Sequence, residues 1–120
     1  MRAVLEVEAR LGRHAEAMSH SNPGFDIRSA TPDGHLVFIE VKGRISGSET
    51  FSPTYTEVMH ARNSPDNHIL ALVEVRPDGI DDVRYIPGDE FTTAAGEPGW
   101  AIAAVTLKWA DMWQRGTVPV

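Results

Sequence analysis

The sequence predicts an α/β fold, in which helices flank a central sheet. Three observations indicate it: helical spacing of apolar residues at the N-terminus, a turn signal between two strand-like segments in the first third of the chain, and five consecutive apolar residues near its middle. Such an unbroken apolar run is typical of a strand buried on both faces. At 120 residues the chain is long enough for a hydrophobic core, and we expect one domain spanning residues 1–120.

The N-terminal helix is predicted over residues 2–11, where apolar side chains line one face and charges of alternating sign line the other. Glu8 falls on the apolar side of this helix, unlike Glu6, and Gly12 is expected to end it. A carboxylate on an inner face needs a partner. Glu8 therefore either pairs with arginine or belongs to a functional site.

A β-hairpin is predicted after a loop at residues 12–24, which ends in a stretch rich in Ser, Asn, Pro and Gly. Its strands are residues 25–30 and 35–42. The connection, Thr31-Pro32-Asp33-Gly34, is a strong turn signal because Pro suits the first corner of a turn and Gly suits a left-handed position.

The length of this turn predicts the register of the hairpin. With a three-residue loop, the numbers of facing residues sum to 66, which places Asp26 directly opposite Glu40. Alternation along the strand puts Lys42 on the same face. A shift of one residue would separate these side chains, so the register is a specific prediction.

The second half of the chain begins with a polar loop at residues 43–52. Thr54 and Glu57 then fit a capping box, which predicts a helix to about Arg62. Glu57 is most simply the cap partner of Thr54, with an accessory role in a site as the second interpretation. The remaining predicted elements are a buried strand at 68–75, a strand at 83–86, an irregular loop at 87–99 and a short helix containing Trp109 and Trp113. Residues 101–107 fit either a strand or a helix, and a strand is favoured.

The amino-acid composition of the chain argues against several classes of function. The chain has no cysteine, which excludes disulfides, thiolate catalysis and thiolate zinc sites, and its histidines show no metal-ligand spacing. A net charge of −6 counts against strong autonomous DNA binding, although a bound cation would neutralise part of it. No apolar run approaches the about 20 residues of a membrane span, and no secretory signal is visible. We expect a cytoplasmic protein that contacts no membrane.

Asp26, Glu40 and Lys42 form the candidate site. Two carboxylates that face each other on a covered surface repel and need a counter-ion, and Mg²⁺ prefers oxygen ligands while keeping several waters. The Val41 carbonyl is a candidate third ligand. The Lys42 side chain would orient or help deprotonate the attacking water, or stabilise charge on a phosphate oxygen. The competing interpretation is a surface salt bridge between Glu40 and Lys42.

Four parts of the sequence resemble the domain at the C-terminus of the plant protein NO VEIN. They are Glu8 in the first helix, Asn22-Pro23-Gly24-Phe25-Asp26-Ile27, Ile39-Glu40-Val41-Lys42-Gly43-Arg44, and Thr54-x-x-Glu57. That domain is similar to members of the PD-(D/E)XK nuclease-like superfamily, although Phe25 stands where the superfamily motif has proline. The resemblance implies a restriction-endonuclease-like core of α-β-β-β-α-β type, with a mixed central sheet flanked by helices.

The resemblance also implies an activity. A Mg²⁺-dependent endonuclease, with Mn²⁺ as an alternative metal, would hydrolyse phosphodiester bonds in DNA. Asp26 and Glu40 would be the metal ligands and Lys42 the catalytic lysine, and Glu8 would complete the metal or water network. Arg28 and Arg44 are candidates for contacts with phosphate.

Two further interpretations stay open at this stage. The chain is alternatively a catalytically silent nucleic-acid-binding or regulatory module with the same fold, or a structural adaptor whose acids are held in ion pairs. The intact acidic set together with Lys42 favours the nuclease. Similar domains occur in helicase-associated and defence-associated proteins, which makes such a system the expected partner, and a homodimer would supply the two sites needed to cut both strands of a duplex.

Overall fold

The structure of the chain is a computed structural model that describes residues 1–22, 24–99 and 103–120. Its helices and strands, in chain order, are α1 (Arg2–Arg10), β1 (His14–Ala17), β2 (Ile27–Ala30), β3 (Leu36–Ile45), β4 (Thr50–Phe51), α2 (Tyr55–Asn63), β5 (His68–Val75), β6 (Asp81–Pro87), α3 (Gly88–Ala95), β7 (Leu107–Lys108) and α4 (Trp109–Arg115).

Five of the strands form a mixed sheet in the order β1-β2-β3-β5-β6. β3 and β5 run parallel, whereas the other neighbouring pairs run antiparallel. The chain passes through α2 between β3 and β5, as the long crossover of a parallel pair requires. β4 and β7 form a separate two-stranded ladder. The predicted mixed central sheet with flanking helices is confirmed.

Different helices cover the two faces of this sheet. On one face, here called the α1 face, α1 packs against Ile39 and Ala71. On the opposite face, here called the α2 face, α2, α3 and α4 pack against Leu70 and Leu72. Burial of each aliphatic side chain contributes about 1.5–3 kcal/mol to the free energy of unfolding. Because residues alternate along a strand, Glu40, which follows Ile39, belongs to the α2 face.

The hairpin has the register that its loop length predicts. Ile27 faces Ile39, and the other three pairs of β2 and β3 keep the same sum of 66. Gly34 has a φ of +91°, which only glycine adopts without strain. The first strand begins later than predicted, at Ile27. The N–H of Asp26 donates to the Ile39 carbonyl at 2.8 Å, so Asp26 lies just outside the regular ladder.

Besides the short β4, which lies within the predicted polar loop at 43–52, two elements form where the sequence predicts loops. β1 has a sequence of low strand propensity, and it exists because it pairs with the otherwise open edge of β2. α3 lies within the predicted irregular loop at 87–99, and its Phe91 is fully buried in the core of the α2 face. In both cases tertiary contacts override a weak local preference.

The C-terminal prediction is partly wrong. The strand expected at 101–107 is reduced to β7, and Ala104 makes only an isolated bridge with Thr54. Residues 101 and 102 lie outside the described residues. The expected final helix is α4, in which the rings of Trp109 and Trp113 stack. In the part of the chain that the structure describes, no helix combines the length and the apolar character needed to cross a bilayer.

His68, at the start of β5, is a buried histidine of the core. Only 2% of the residue is exposed, and its ring lies against His60 and Phe91. Burial, and then the neighbouring His60, lower the pKa of His68 to about 4, from an ordinary value of 6.5. In the unfolded chain the ring takes up a proton below pH 6.5, whereas in the folded chain it stays neutral down to about pH 4.

The free energy of unfolding is therefore expected to fall as the pH drops from 6.5 towards 4. The full contribution, about 3 kcal/mol from the difference between the two pKa values, is present only above pH 6.5. Urea unfolding between pH 7.5 and 4.5 measures it. The variant His68→Phe should show a shallower slope than wild type, and His20→Phe, at an exposed position, should not. Parallel curves for wild type and His68→Phe would contradict the assignment.

Candidate functional site

Lys42, Glu40 and Glu57 form a charged cluster on the α2 face. The Lys42 Nζ lies 2.9 Å from the Glu57 Oε1 and 3.5 Å from the Glu40 Oε1. Glu40 is only 3% exposed, so this is not a surface salt bridge. Alternation along β3 places Glu40 and Lys42 side by side, and the start of α2 brings Glu57 over them. The structure therefore joins two carboxylates and one ammonium within a largely buried group.

Glu57 reaches this cluster through the cap of α2. The Thr54 hydroxyl accepts a hydrogen bond from the Glu57 N–H at 3.2 Å, and the Glu57 Oε1 accepts one from the Thr54 N–H at 2.8 Å. The predicted capping box is confirmed. The same Oε1 atom also accepts from Lys42, so the helix cap and the charged cluster share one carboxylate.

Asp26 is bound to β3 by both its backbone and its side chain. Besides its backbone bond to Ile39, its Oδ2 accepts a hydrogen bond from the Val41 N–H at 2.8 Å. In a β-strand the N–H and C=O of one residue point towards the same edge. The Val41 carbonyl therefore points towards the edge at which β2 ends, on the side of Asp26.

Burial dominates the ionisation of the cluster. The pKa of Glu40 is raised to about 10, and burial is the largest cause. The hydrogen bond to Glu57 and the negative charges of Glu57 and Asp26 also raise this pKa, whereas the positive charge of Lys42 lowers it. Burial also raises the pKa of Glu57, but hydrogen bonds with Glu40, Thr54 and Lys42 outweigh it and leave that pKa below its ordinary value. Burial therefore favours the neutral form of Glu40, and the hydrogen bonds around Glu57 favour the ionised form of Glu57.

Lys42 remains a cation in this environment. Burial lowers its pKa, but the hydrogen bond to Glu57 and the charges of Glu57 and Glu40 raise it more, so that the net pKa lies above its ordinary value. An ammonium with a raised pKa is a poor general base and a good donor to an anionic oxygen. The chemistry open to Lys42 is therefore charge stabilisation and orientation.

The oxygen donors of the site suit a divalent cation. Within the described residues, no three His, Asp or Glu side chains are arranged as a ready-made metal cage. Mg²⁺ does not require one, since it is usually held by one or two carboxylates and keeps several waters. Asp26, Glu40 and the Val41 carbonyl supply such a set. A cation there would favour the ionised form of Glu40, which burial alone disfavours.

Glu8 turns inward, as predicted, but it lies on the α1 face. It is completely buried, whereas Glu6 is exposed. Its Oε2 accepts a hydrogen bond from the Tyr85 hydroxyl at 2.8 Å, and both its oxygens lie 3.3 Å from the Arg13 Nη1. Burial, and then the bond to Glu8, raise the pKa of Tyr85 well above its ordinary value. Glu8 is thus satisfied by partners on the face opposite Lys42.

Arg28 and Arg44 are exposed on the strands that carry the site. By alternation both lie on the same face as Lys42. Arg28 forms an exposed ion pair with Glu16, at 2.9 Å. Such a pair is weak and easily exchanged for another anion. By their strand positions, the two arginines lie on either side of the cluster along the sheet.

Gly24 positions the segment that carries Asp26. Its φ is +90°, and a Cβ at this position would lie 2.8 Å from the Cβ of His60. Gly24→Ala is therefore expected to be destabilising by about 2–4 kcal/mol, from backbone strain plus overpacking. Gly34→Ala, with the same sign of φ and no atom within 4 Å, should lose about 1–2 kcal/mol, from strain alone.

Urea unfolding of the two glycine variants measures the difference. Combining Gly24→Ala with His60→Gly, compared with His60→Gly alone, should remove most of the extra loss, because the His60 Cβ and ring that the new methyl group would meet are then both absent. Equal losses for Gly24→Ala and Gly34→Ala would contradict the role of the His60 contact.

Residues 1–86 match the family model of the protein NO VEIN C-terminal region. The match spans well over half of the chain. It includes every residue of the charged cluster, together with Asp26 and Glu8. No curated protein matches the chain.

A solved structure shares the fold. It is Hjc of Archaeoglobus fulgidus, a Holliday junction resolvase from an archaeal hyperthermophile, with a TM-score of 0.63, 15% identity, and coverage of 98% of this chain and 94% of that one. At this level of identity the likeness concerns the fold alone, and it confirms the predicted restriction-endonuclease-like core. The chain belongs to the NO VEIN C-terminal family.

Proposed function

We propose that the chain is a Mg²⁺-dependent nuclease that hydrolyses phosphodiester bonds in DNA, with Mn²⁺ as an alternative metal. The observation that carries this proposal is the buried cluster of Lys42, Glu40 and Glu57 beside Asp26. The nuclease-like fold supports it. A bound cation would supply Lewis-acid activation of water and phosphate, held by Asp26, Glu40 and the Val41 carbonyl.

Lys42 has the central part in the proposed mechanism. Held protonated by Glu57, it donates hydrogen bonds to a non-bridging phosphate oxygen and orients the attacking water. Glu57, the accessory residue, keeps the ammonium in place from the start of α2. Glu40 would then be available to hold the cation. Lys42 and Glu40 are therefore neighbours on one face of β3, but the ammonium is held by Glu57 and does not compete with the cation for the Glu40 carboxylate.

The surrounding residues have supporting roles in this proposal. Arg28 and Arg44 bind phosphates on either side of the cleaved bond. Glu8 acts from the α1 face, and its network with Arg13 and Tyr85 holds α1 against the sheet beneath the site. A homodimer would provide two sites for a duplex, and a helicase or defence-system partner would deliver the DNA that an acidic chain binds weakly alone.

The test is cleavage by the purified chain of supercoiled plasmid, single-stranded DNA and a four-way junction, with Mg²⁺, Mn²⁺, Ca²⁺ or a chelator. We expect cleavage with Mg²⁺ and Mn²⁺ and none with the chelator, together with a calorimetric signal for Mg²⁺ binding. Wild type that binds Mg²⁺ and DNA but cuts no substrate would instead make the chain a silent binding or regulatory module. Wild type that binds neither would leave only the structural-adaptor interpretation.

A further inference from the structure

Three aromatic rings form a continuous patch on the α2 face. Phe25, Phe38 and His60, here called the aromatic trio, contact one another with ring centroids 4.9 Å (Phe25–Phe38), 4.9 Å (Phe25–His60) and 5.4 Å (Phe38–His60) apart. Each of the three residues is only half-buried, in contrast to His68 and Phe91 directly below them. The trio is therefore the accessible top of an aromatic stack whose lower part is core.

The aromatic trio lies directly beside the proposed metal and phosphate site. Each residue of the trio is a close neighbour of one acid. The two residues of a pair are adjacent in the chain, two positions apart on the same face of β3, or one turn apart on α2. These pairs are Phe25 with Asp26, Phe38 with Glu40, and His60 with Glu57. A phosphate bound by Lys42 and a cation at the acids would thus place its own nucleotide next to the rings.

The geometry of the trio is constrained rather than adaptable. The backbone of Gly24 approaches so closely that a Cβ there would meet His60 at 2.8–3.0 Å, which fixes one side of the His60 ring. The Nδ1 atom of His60 is buried and has no hydrogen-bond partner among the described residues. The orientation of the His60 ring is therefore set by packing and not by a hydrogen bond at Nδ1.

We propose that the aromatic trio is a stacking platform for an unpaired nucleobase next to the cleaved phosphate, so that the chain prefers single-stranded or branched DNA to continuous duplex. This inference rests on the proposed nuclease function. Bases splayed out of a helix stack on Phe and His rings, whereas bases inside a duplex have both faces covered. Charge complementarity supports a nucleic-acid strand, because Lys42, Arg28 and Arg44 share this face with the rings.

The test uses Ca²⁺ in place of Mg²⁺, to measure binding in the absence of cleavage. Fluorescence anisotropy compares a single strand, the same strand with abasic positions, a duplex and a four-way junction. A second set of single strands carries 2-aminopurine, whose emission changes when the base stacks. Phe38→Leu and Phe25→Leu keep apolar volume but remove the π face, and Phe51→Leu, a buried phenylalanine outside the trio, controls for loss of packing.

Wild type is expected to bind the intact single strand about 5- to 150-fold more tightly than the abasic strand, the range for one base–aromatic contact. Phe38→Leu and Phe25→Leu should remove that difference and the 2-aminopurine signal, while Phe51→Leu keeps both. Equal affinity of wild type for intact and abasic strands, with DNA cleavage preserved, would overturn the platform alone. Failure of wild type to bind any DNA would overturn the platform and the proposed function together.

Discussion

Lys42→Ala is expected to reduce DNA cleavage by about 100- to 1,000-fold, the loss that follows removal of one charged donor from a developing anion. Mg²⁺ affinity should stay the same or rise slightly, because a protonated lysine has no lone pair for the metal and its positive charge opposes a neighbouring cation. The measurements are single-turnover cleavage of a labelled oligonucleotide and calorimetric titration with Mg²⁺. The two readouts together separate a catalytic role from a metal-binding one.

The chain offers a matched control for this variant, since it contains only one other lysine. Lys108 is exposed on β7, in the separate two-stranded ladder, and Lys108→Ala should cleave at the wild-type rate. Undiminished cleavage by Lys42→Ala would remove Lys42 from the mechanism. An equal loss in both lysine variants would point to a general effect of charge on DNA binding.

Asp26 accepts a hydrogen bond from the Val41 N–H and is also a proposed metal ligand, and two substitutions are expected to separate these roles. Asp26→Ala removes the carboxylate and also the acceptor of the Val41 N–H, so Mg²⁺ binding, cleavage and about 1–3 kcal/mol of stability should all be lost. Asp26→Asn keeps an amide oxygen for that N–H but loses the charge. It should therefore lose Mg²⁺ binding and cleavage while its stability stays close to that of wild type.

Calorimetric titration with Mg²⁺ and urea unfolding in the presence of a chelator measure these two roles independently. Unchanged Mg²⁺ affinity in both variants would exclude Asp26 as a ligand. Equal losses of stability in both would show that the Val41 hydrogen bond is not what the carboxylate contributes to folding.

The hairpin at the centre of the site was predictable because its rules are local. A three-residue loop ending in Gly34 determines which residues face each other, and alternation then assigns Glu40 and Lys42 to one face. The start of α2 was predictable for the same reason, since a capping box involves residues only three positions apart.

The parts that sequence reasoning missed depend on contacts between distant segments. β1 forms only because β2 offers it an edge, and α3 only because Phe91 is buried against the rest of the core. The aromatic trio could have been suspected from Phe25, which replaces the motif proline beside Asp26. The parts played by Phe38 and His60 had no such signal.

The sequence by itself determined the register of β2 and β3, the inward direction of Glu8 and the cap that holds Glu57, because each follows from spacing within one or two adjacent elements. Only the tertiary structure decided what these side chains meet. It joined Glu57 to Lys42 across the α2 face, and it satisfied Glu8 on the opposite face with Tyr85, 77 residues away in the chain. Local periodicity shows which way a side chain points, but its partner depends on how the sheet and helices pack together.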